Sequence, residues 1–266
     1  MIDNYRLYNG AWIIKNSPHS ENKLSKHIVN QLFKQRGGVI IRNTFEFDSQ
    51  EETSFWYVIK DSFGGMEELS SKMRNQVKRC FKTMRVERIS SEFLLKSGYE
   101  VYVKAAENYA VKMTPPTREE FEKRIRNANE NDYWGVIDIE TENLVAFSLN
   151  LVTEEMAEYC TMKAIPEYQK KYAYYGLIYE MNRYYLQELK LKYVNDGARS
   201  ITEHSNIQPF LIDKFNFRKA YCRLDIHYKW WFGLIVRTLY PFRNLIPVLK
   251  VKSILRLEEY SRNSKK

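Results

Sequence analysis

Two hydrophobic periods alternate along this chain, one typical of helices and the other typical of strands. In the first half, they predict helices over residues 24–33 and 67–82 and strands over residues 39–41, 54–60 and 86–89. The sequences Ser97-x-x-Glu100 and Thr117-x-x-Glu120 have the form of capping boxes. Each therefore predicts the start of a further helix.

The second half begins with three strand-like runs, at residues 133–140, 144–153 and 157–165. The short polar turn at 141–143 predicts an antiparallel hairpin between the first two runs. Then come a long helix with Tyr175, Ile178 and Tyr185 on one face, a strand at 193–196, a helix at 206–215 and a strand at 219–228. We therefore predict an α+β (mixed α/β) fold, with a mostly antiparallel mixed sheet flanked by helices.

A dense polar turn follows the strand at 193–196, and a rigid frame that presents such a turn is typical of a binding or catalytic site. Asp196 is our candidate general base, and Arg199 is placed to orient a carbonyl or carboxylate. Histidine is the side chain whose ordinary pKa lies closest to neutral pH, so His204 is a third candidate. Glu158 shares a strand face with Cys160, and a cleft suits its charge better than a core does. The alternative stays open that Asn-Asp-Gly is only a turn and His204 only a surface residue.

Composition narrows the partners and the compartment. The net charge is +9 and the pI is near 9.2, which fits either an anionic partner or solubility alone. Three cysteines and four histidines lie scattered, so we predict no metal site and no disulfide framework. With no signal-like start and no apolar run of the ~20 residues that span a bilayer, we expect a cytoplasmic location.

The element order over residues 132–228 resembles the core of the GNAT acyltransferase superfamily. Within it, the FemAB-like branch is most similar, over roughly residues 55–228. The helix Ser71–Arg79 is similar to the R-x-x-I-R-x-A helix that opens such domains, and Lys214-Phe215-Asn216-Phe217 is similar to the K-x-G-F turn.

The resemblance implies a GNAT-like sheet and an acyl- or aminoacyltransferase. The acceptor would be an amine on a small molecule or on a lipid-linked envelope or polysaccharide precursor. The donor would be an acyl-CoA, or an aminoacyl-tRNA as the alternative; no other nucleic acid is expected. Donor-binding positions carried over from the family are Lys170, Lys171, Tyr175, Gly176, Leu177, Ser205 and Asn206.

Two positions depart from the family pattern. Tyr174 stands where the phosphate-binding loop has its central Gly, and a side chain there would crowd a phosphate. Ile212 stands where many acetyltransferases have a proton-donating Tyr. The second hypothesis is therefore a catalytically inert GNAT-fold binding or regulatory protein.

We divide the chain into residues 1–60, a helix and strands that could form a partial GNAT-like half, residues 61–228, the GNAT-like domain, and a basic, Trp-rich extension at 229–266. In the extension, Trp230 and Trp231 open a run of apolar clusters mixed with Arg and Lys. This pattern fits an element that lies on an anionic membrane surface, here the inner face, and fits equally an element packed on the core. The sequence leaves the oligomeric state open.

Overall fold

The computed structural model describes residues 2–8, 10–20, 24–107, 115–201 and 206–264. The chain divides into two compact units. Unit one takes the described parts of residues 1–58, 198–203 and 219–266, and unit two takes those of residues 59–197 and 204–218.

Both units contain strands and helices. The described strands are β1 (Tyr5–Tyr8), β2 (Ala11–Ile14), β3 (Ile40–Ser49), β4 (Phe55–Lys60), β5 (Met84–Ile89), β6 (Asp132–Asp138), β7 (Leu144–Val152), β8 (Met156–Ala164), β9 (Tyr193–Ala198) and β10 (Arg218–Tyr228). The described α-helices are α1 (Lys26–Lys34), α2 (Ser71–Thr83), α3 (Ser91–Ala106), α4 (Arg118–Arg126), α5 (Pro166–Lys170), α6 (Ala173–Asn182), α7 (Ile207–Phe215), α8 (Trp230–Leu239) and α9 (Leu249–Asn263). A π-helix, Arg183–Glu188, continues α6. Most of the strand pairs are antiparallel, so the predicted fold class is confirmed.

In unit one, the strand order is β1-β2-β3-β10-β4, with β2 and β3 parallel. Its core forms two clusters. Leu32 of α1 packs with Trp12 and Ile41 in one, and Leu257 of α9 packs with Phe55 in the other. Helix α9 is therefore part of the core of this unit.

In unit two, the strand order is β9-β8-β7-β6-β5. The predicted hairpin is present as the antiparallel pair β6 and β7. Phe147 and Leu149 of β7 pack with Leu94 of α3, while Asn150, on the opposite strand face, contacts Tyr185 of the π-helix. Because both faces of β7 are covered, this sheet is a rigid frame for the strands beside it.

Helix starts test the capping predictions directly. The Thr117 box is confirmed, since Thr117 Oγ1 accepts from Glu120 N–H and the Glu120 carboxylate accepts from Thr117 N–H. The prediction at Ser97 is wrong, because α3 begins earlier, where Ser90 Oγ accepts from the Phe93 N–H at 3.2 Å. Strands β1 and β2 were not predicted, since four residues are too few to establish a period.

Residues 229–264 form two helices joined by a 3-10 turn at Tyr240–Phe242. Within the described parts of the chain, none of the helices combines the length and the apolar character needed to cross a bilayer.

Candidate active site

Strands β8 and β9 pair and then separate. They are parallel, with Met156 opposite Tyr193, Ala157 opposite Val194 and Glu158 opposite Asn195. Both strands continue, β8 to Ala164 and β9 to Ala198, yet the pairing described for them ends at Glu158. We call the region beyond the last described pair, where both strands continue without pairing to each other, the gap.

A local hydrogen bond near the end of β9 shapes the backbone around Asp196. Asn195 is fully buried, and its Oδ1 accepts from the Gly197 N–H at 2.5 Å. Gly197 adopts a φ of 86°, which glycine reaches at no steric cost. The predicted Asn-Asp-Gly turn does not reverse the chain, because these three residues lie within β9, which runs to Ala198; their local hydrogen bond fixes the backbone on both sides of Asp196.

Asp196 has an unusual environment for a carboxylate. Its pKa is raised from 3.8 to about 8, mainly by burial and in part by the nearby Glu158 charge, while a hydrogen bond from the Gln208 side chain opposes the shift. The Gln208 amide also donates to the Asp196 backbone carbonyl at 3.5 Å. Gln208 lies in the first turn of α7, so this helix holds the predicted base in place.

Glu158 and Cys160 lie on the other side of the gap. The register of β8 against β7 skips Cys160, which forms a bulge between Tyr159 and Thr161. The Cys160 thiol donates to the Glu158 carbonyl at 3.6 Å. Bulges redirect the side chains next to them. The Glu158 charge that acts on Asp196 therefore lies beside a local distortion of β8.

Tyr159, next to Glu158 on β8, is buried. Its hydroxyl donates to Asn182 Oδ1 at 2.8 Å, and its ring packs against Phe217 at 6.4 Å between centroids. Burial, together with the Tyr185 and Asp196 charges, raises the pKa of Tyr159. The phenol is therefore a hydrogen-bond donor at neutral pH.

Helix α6 begins after the turn predicted to bind the donor. Lys170 and Lys171 are exposed there, and Lys171 Nζ lies 4.7 Å from the centre of the Tyr168 ring. Tyr172 opens α6 with a φ of 70°, and Tyr175 packs its ring against Phe210 at 5.1 Å. Two exposed ammonium groups beside the positive end of a helix dipole favour phosphate.

Two other predicted donor positions face inward. A Cβ at Gly176 would overlap the Cys80 sulfur, so glycine here allows α6 to approach α2 closely. Leu177 is fully buried in the core. Their small and apolar side chains have a packing explanation that needs no donor.

Arg199 packs within unit one. Its guanidinium lies between the Trp56 ring at 3.9 Å and the Tyr260 ring at 4.0 Å, and Nη1 donates to the Ser54 carbonyl at 2.6 Å. The contacts described for Asp196 all lie within unit two. Arg199 thus has a structural role whether or not it also meets substrate.

The remaining predicted residues lie near the start of α7. His204 and Ser205 are outside the described residues. Asn206 is exposed and forms the N-cap position of α7 without a side-chain cap hydrogen bond. Among described residues, no three His, Cys, Asp or Glu side chains gather as metal ligands.

Sequence reasoning missed Gln208 and Tyr159 as site residues. Gln208 lies twelve positions after Asp196, and only the fold of α7 against β9 reveals its hydrogen bond. Tyr159 alternates with Glu158 along β8, which indicated nothing more than a core side chain. Neither position carries a local sequence signal.

Comparison with known proteins bears on the fold. No protein-family profile and no curated protein matches the sequence. A crystal structure of FemX is similar with a TM-score of 0.52 at 11% identity, over 72% of this chain and 72% of that one. The C-terminal domain of a protein assigned as a lysylphosphatidylglycerol synthetase, from Agrobacterium fabrum, has a TM-score of 0.51 at 11% identity, over 88% of this chain and 84% of that one.

The K-x-G-F-like turn agrees with this likeness. Asn216 stands at the glycine position with a φ of 56°, and Asn is the side chain that best tolerates this left-handed conformation after Gly. Its amide donates to the Glu68 carbonyl at 3.0 Å. The chain therefore shares its fold with FemX, as its motifs predicted.

Proposed function

We propose that this protein is a transferase that joins an acyl or aminoacyl group to an amine, with Asp196 as the general base. One observation carries the proposal: Asp196 lies where paired strands β8 and β9 part, with a pKa raised to about 8. The similarity of the fold to that of FemX supports a transferase.

The chemistry follows from the proton balance. An amine acceptor arrives as an ammonium ion and must lose a proton before its nitrogen can attack a carbonyl carbon. A general base works best when its pKa lies near the operating pH, because it is then both free to accept a proton and basic enough to take it. Burial and the Glu158 charge give Asp196 this property.

We further propose an aminoacyl donor and an acceptor amine on an envelope or lipid-linked precursor. The names of the two similar structures, FemX and a lysylphosphatidylglycerol synthetase, support this choice over acyl-CoA. The crowding at Tyr172 and Tyr175 also favours a donor that does not press its phosphates against the start of α6. Lys170 and Lys171 are exposed cations that suit the phosphates of either donor.

The test is a transfer assay with two donor panels, acyl-CoA thioesters and aminoacyl-tRNAs, against a panel of amines. Release of CoA thiol or of deacylated tRNA gives the readout. Asp196→Asn should reduce kcat by about 10²–10⁴-fold, the usual contribution of general-base catalysis. Asp213→Asn is the control, because Asp213 is an exposed carboxylate paired with Lys214 on the surface of α7.

The outcomes separate the donors and the functions. Turnover with aminoacyl-tRNA alone supports the finer proposal, and turnover with acyl-CoA alone replaces its donor. Activity that survives Asp196→Asn removes the assigned base. Binding of donor without any turnover favours the inert regulatory protein, which Ile212 in place of a proton-donating Tyr makes the second candidate.

A further inference from the structure

We propose that the C-terminal segment docks the protein on an anionic lipid bilayer. The docking surface, here called the C-terminal patch, consists of Trp230, Trp231, Leu234, Ile235, Phe242, Leu245, Val248 and Leu249. It lies in unit one and requires no assumption about the reaction.

Exposed apolar side chains are concentrated in this segment. Of the twelve large hydrophobic side chains exposed among the described residues, eight lie between Trp230 and Leu249. Trp230 is 82% exposed and Leu245 is 79% exposed. Soluble monomers rarely leave such a cluster facing water, and a contiguous apolar patch marks an interaction surface.

The inner side of α8 is already occupied. Phe232 packs on Tyr228 with ring centroids 6.0 Å apart, Gly233 lies against the Tyr228 side chain, and Val236 is buried. Trp231, Leu234 and Ile235 therefore form a second apolar face on the same helix. A helix that is apolar on both sides has one face to bury elsewhere.

The charge of this segment indicates that an anionic bilayer covers the C-terminal patch. Residues 229–257 contain six cations and no Asp or Glu. The next acids are engaged, since Glu258 accepts from Tyr228 and Arg262, and Glu259 pairs with Arg243. Two copies of such a patch would repel each other, whereas an anionic bilayer attracts each Lys and Arg near its surface. Two exposed Trp residues suit the headgroup level of a bilayer.

The binding mode follows from helix length. Helix α8 has ten residues, or about 15 Å at the rise of an α-helix, which is half the thickness of a hydrocarbon core. It therefore lies in the plane of the interface with Trp230, Leu234 and Ile235 toward the acyl chains. Removing the whole tail is a poor test, because Leu257 and Tyr260 belong to the core of unit one.

The first experiment is co-sedimentation of the full chain with vesicles of phosphatidylcholine containing one third phosphatidylglycerol. Ile235→Glu and Ile139→Glu form a matched pair, because these side chains are 47% and 48% exposed and only the first lies in the patch. Ile235→Glu should weaken vesicle binding at least tenfold, as a carboxylate in the interface loses apolar burial and meets lipid charge of its own sign. Ile139→Glu should bind like the unchanged chain.

The second experiment tests the charge. Lys250→Glu with Lys252→Glu should weaken binding by more than about fivefold per residue, while Lys104→Glu with Lys123→Glu, the same charge change on exposed positions of α3 and α4, should have little effect. Equal binding by both pairs, or equal binding to pure phosphatidylcholine, overturns the proposal. So does a stable dimer in light scattering that Ile235→Glu dissolves, since a second copy would then be the occupant.

Discussion

Two carboxylates of unit two, Asp132 and Asp196, are surrounded in opposite ways. Asp132 is buried, and it accepts from Arg88 Nε at 2.7 Å, from the Tyr185 hydroxyl at 2.7 Å and from Trp134 Nε1 at 3.2 Å. Asp196 accepts a hydrogen bond from the neutral Gln208 and feels the charge of a second acid, Glu158. The negative charge of Asp132 is balanced by a cation and two neutral donors. The negative charge of Asp196 is instead repelled by its acidic neighbour.

The difference separates structural acids from reactive ones. A buried carboxylate that accepts from a cation and from several neutral donors holds these neighbours in place. A carboxylate held beside another acid keeps its proton into the neutral range and is ready to exchange it. Asp132 therefore stabilises unit two at the start of β6. Asp196, near the end of β9, instead has the raised pKa that suits a general base.

The largest expected effect is on stability, from Asp132→Ala. Tyr185 and Trp134 are buried and would lose an acceptor, and Arg88 would lose its ion pair. We expect the free energy of unfolding to fall by about 2–4 kcal/mol. Chemical denaturation measures it, with the exposed Asp213→Ala as control. A loss below that of the control would mean that the network around Asp132 contributes nothing to stability.

Asp196→Asn should act in the opposite direction and depend on pH. Folded Asp196 keeps its proton up to about pH 8, whereas the unfolded group loses it near 3.8. The folded chain thus binds more protons between these values, so this group lowers stability as pH rises. The neutral Asn should remove that slope and raise the free energy of unfolding by about 1–2 kcal/mol at pH 8, after allowance for partial exposure.

Denaturation curves at pH 5 and pH 8 test this, with Asp213→Asn as control. A variant less stable than the unchanged chain at pH 8 would contradict the raised pKa. A gain in stability together with a loss of turnover would show that the chain gives up stability for the base.

The sequence predicted the β6–β7 hairpin, the Thr117 cap and the order of elements in unit two because each depends on neighbours in the chain. It placed Asp196 at a strand end for the same reason. It did not predict the start of α3 at Ser90, where two Ser residues competed as caps. Local sequence patterns predict which helices and strands form. They distinguish poorly between two similar signals for the start of a helix.

The register between distant strands was beyond such patterns. The pairing of Glu158 with Asn195 depends on how β8 and β9 pack against the rest of the sheet, thirty-seven positions apart in sequence. The polar contacts of Asp132 depend on a π-helix, whose Tyr185 had only the spacing of a core residue. Both carboxylate environments are therefore properties of the fold rather than of a motif.

Tyr185→Phe tests the hydrogen bonds around Asp132 by removing one of its donors. The Tyr185 hydroxyl donates to Asp132 and accepts from Asn150 at 2.8 Å and from Trp134 at 2.9 Å. Removing it should cost about 1–2 kcal/mol, less than Asp132→Ala, because Asp132 keeps Arg88 and Trp134 as donors. Tyr184→Phe is the control, since its hydroxyl accepts from the half-exposed Arg88 at the surface. Equal losses for both variants would contradict a buried hub at Tyr185.

Gln208→Leu should have the smallest effect of these variants, and it concerns the pKa of Asp196. The Gln208 hydrogen bond favours the ionised form of Asp196, so its loss should raise the pKa of this carboxyl further. Because the base must be deprotonated to act, the rise of kcat/KM with pH should shift upward by the same amount. Turnover at neutral pH would fall up to about tenfold and recover at alkaline pH.

The matched control is Gln187→Leu, on the exposed side of the π-helix. A titration of the Asp196 carboxyl by NMR reads the pKa without relying on activity. A loss that alkaline pH does not restore would mean that Gln208 positions Asp196 or α7, and does not tune its proton affinity.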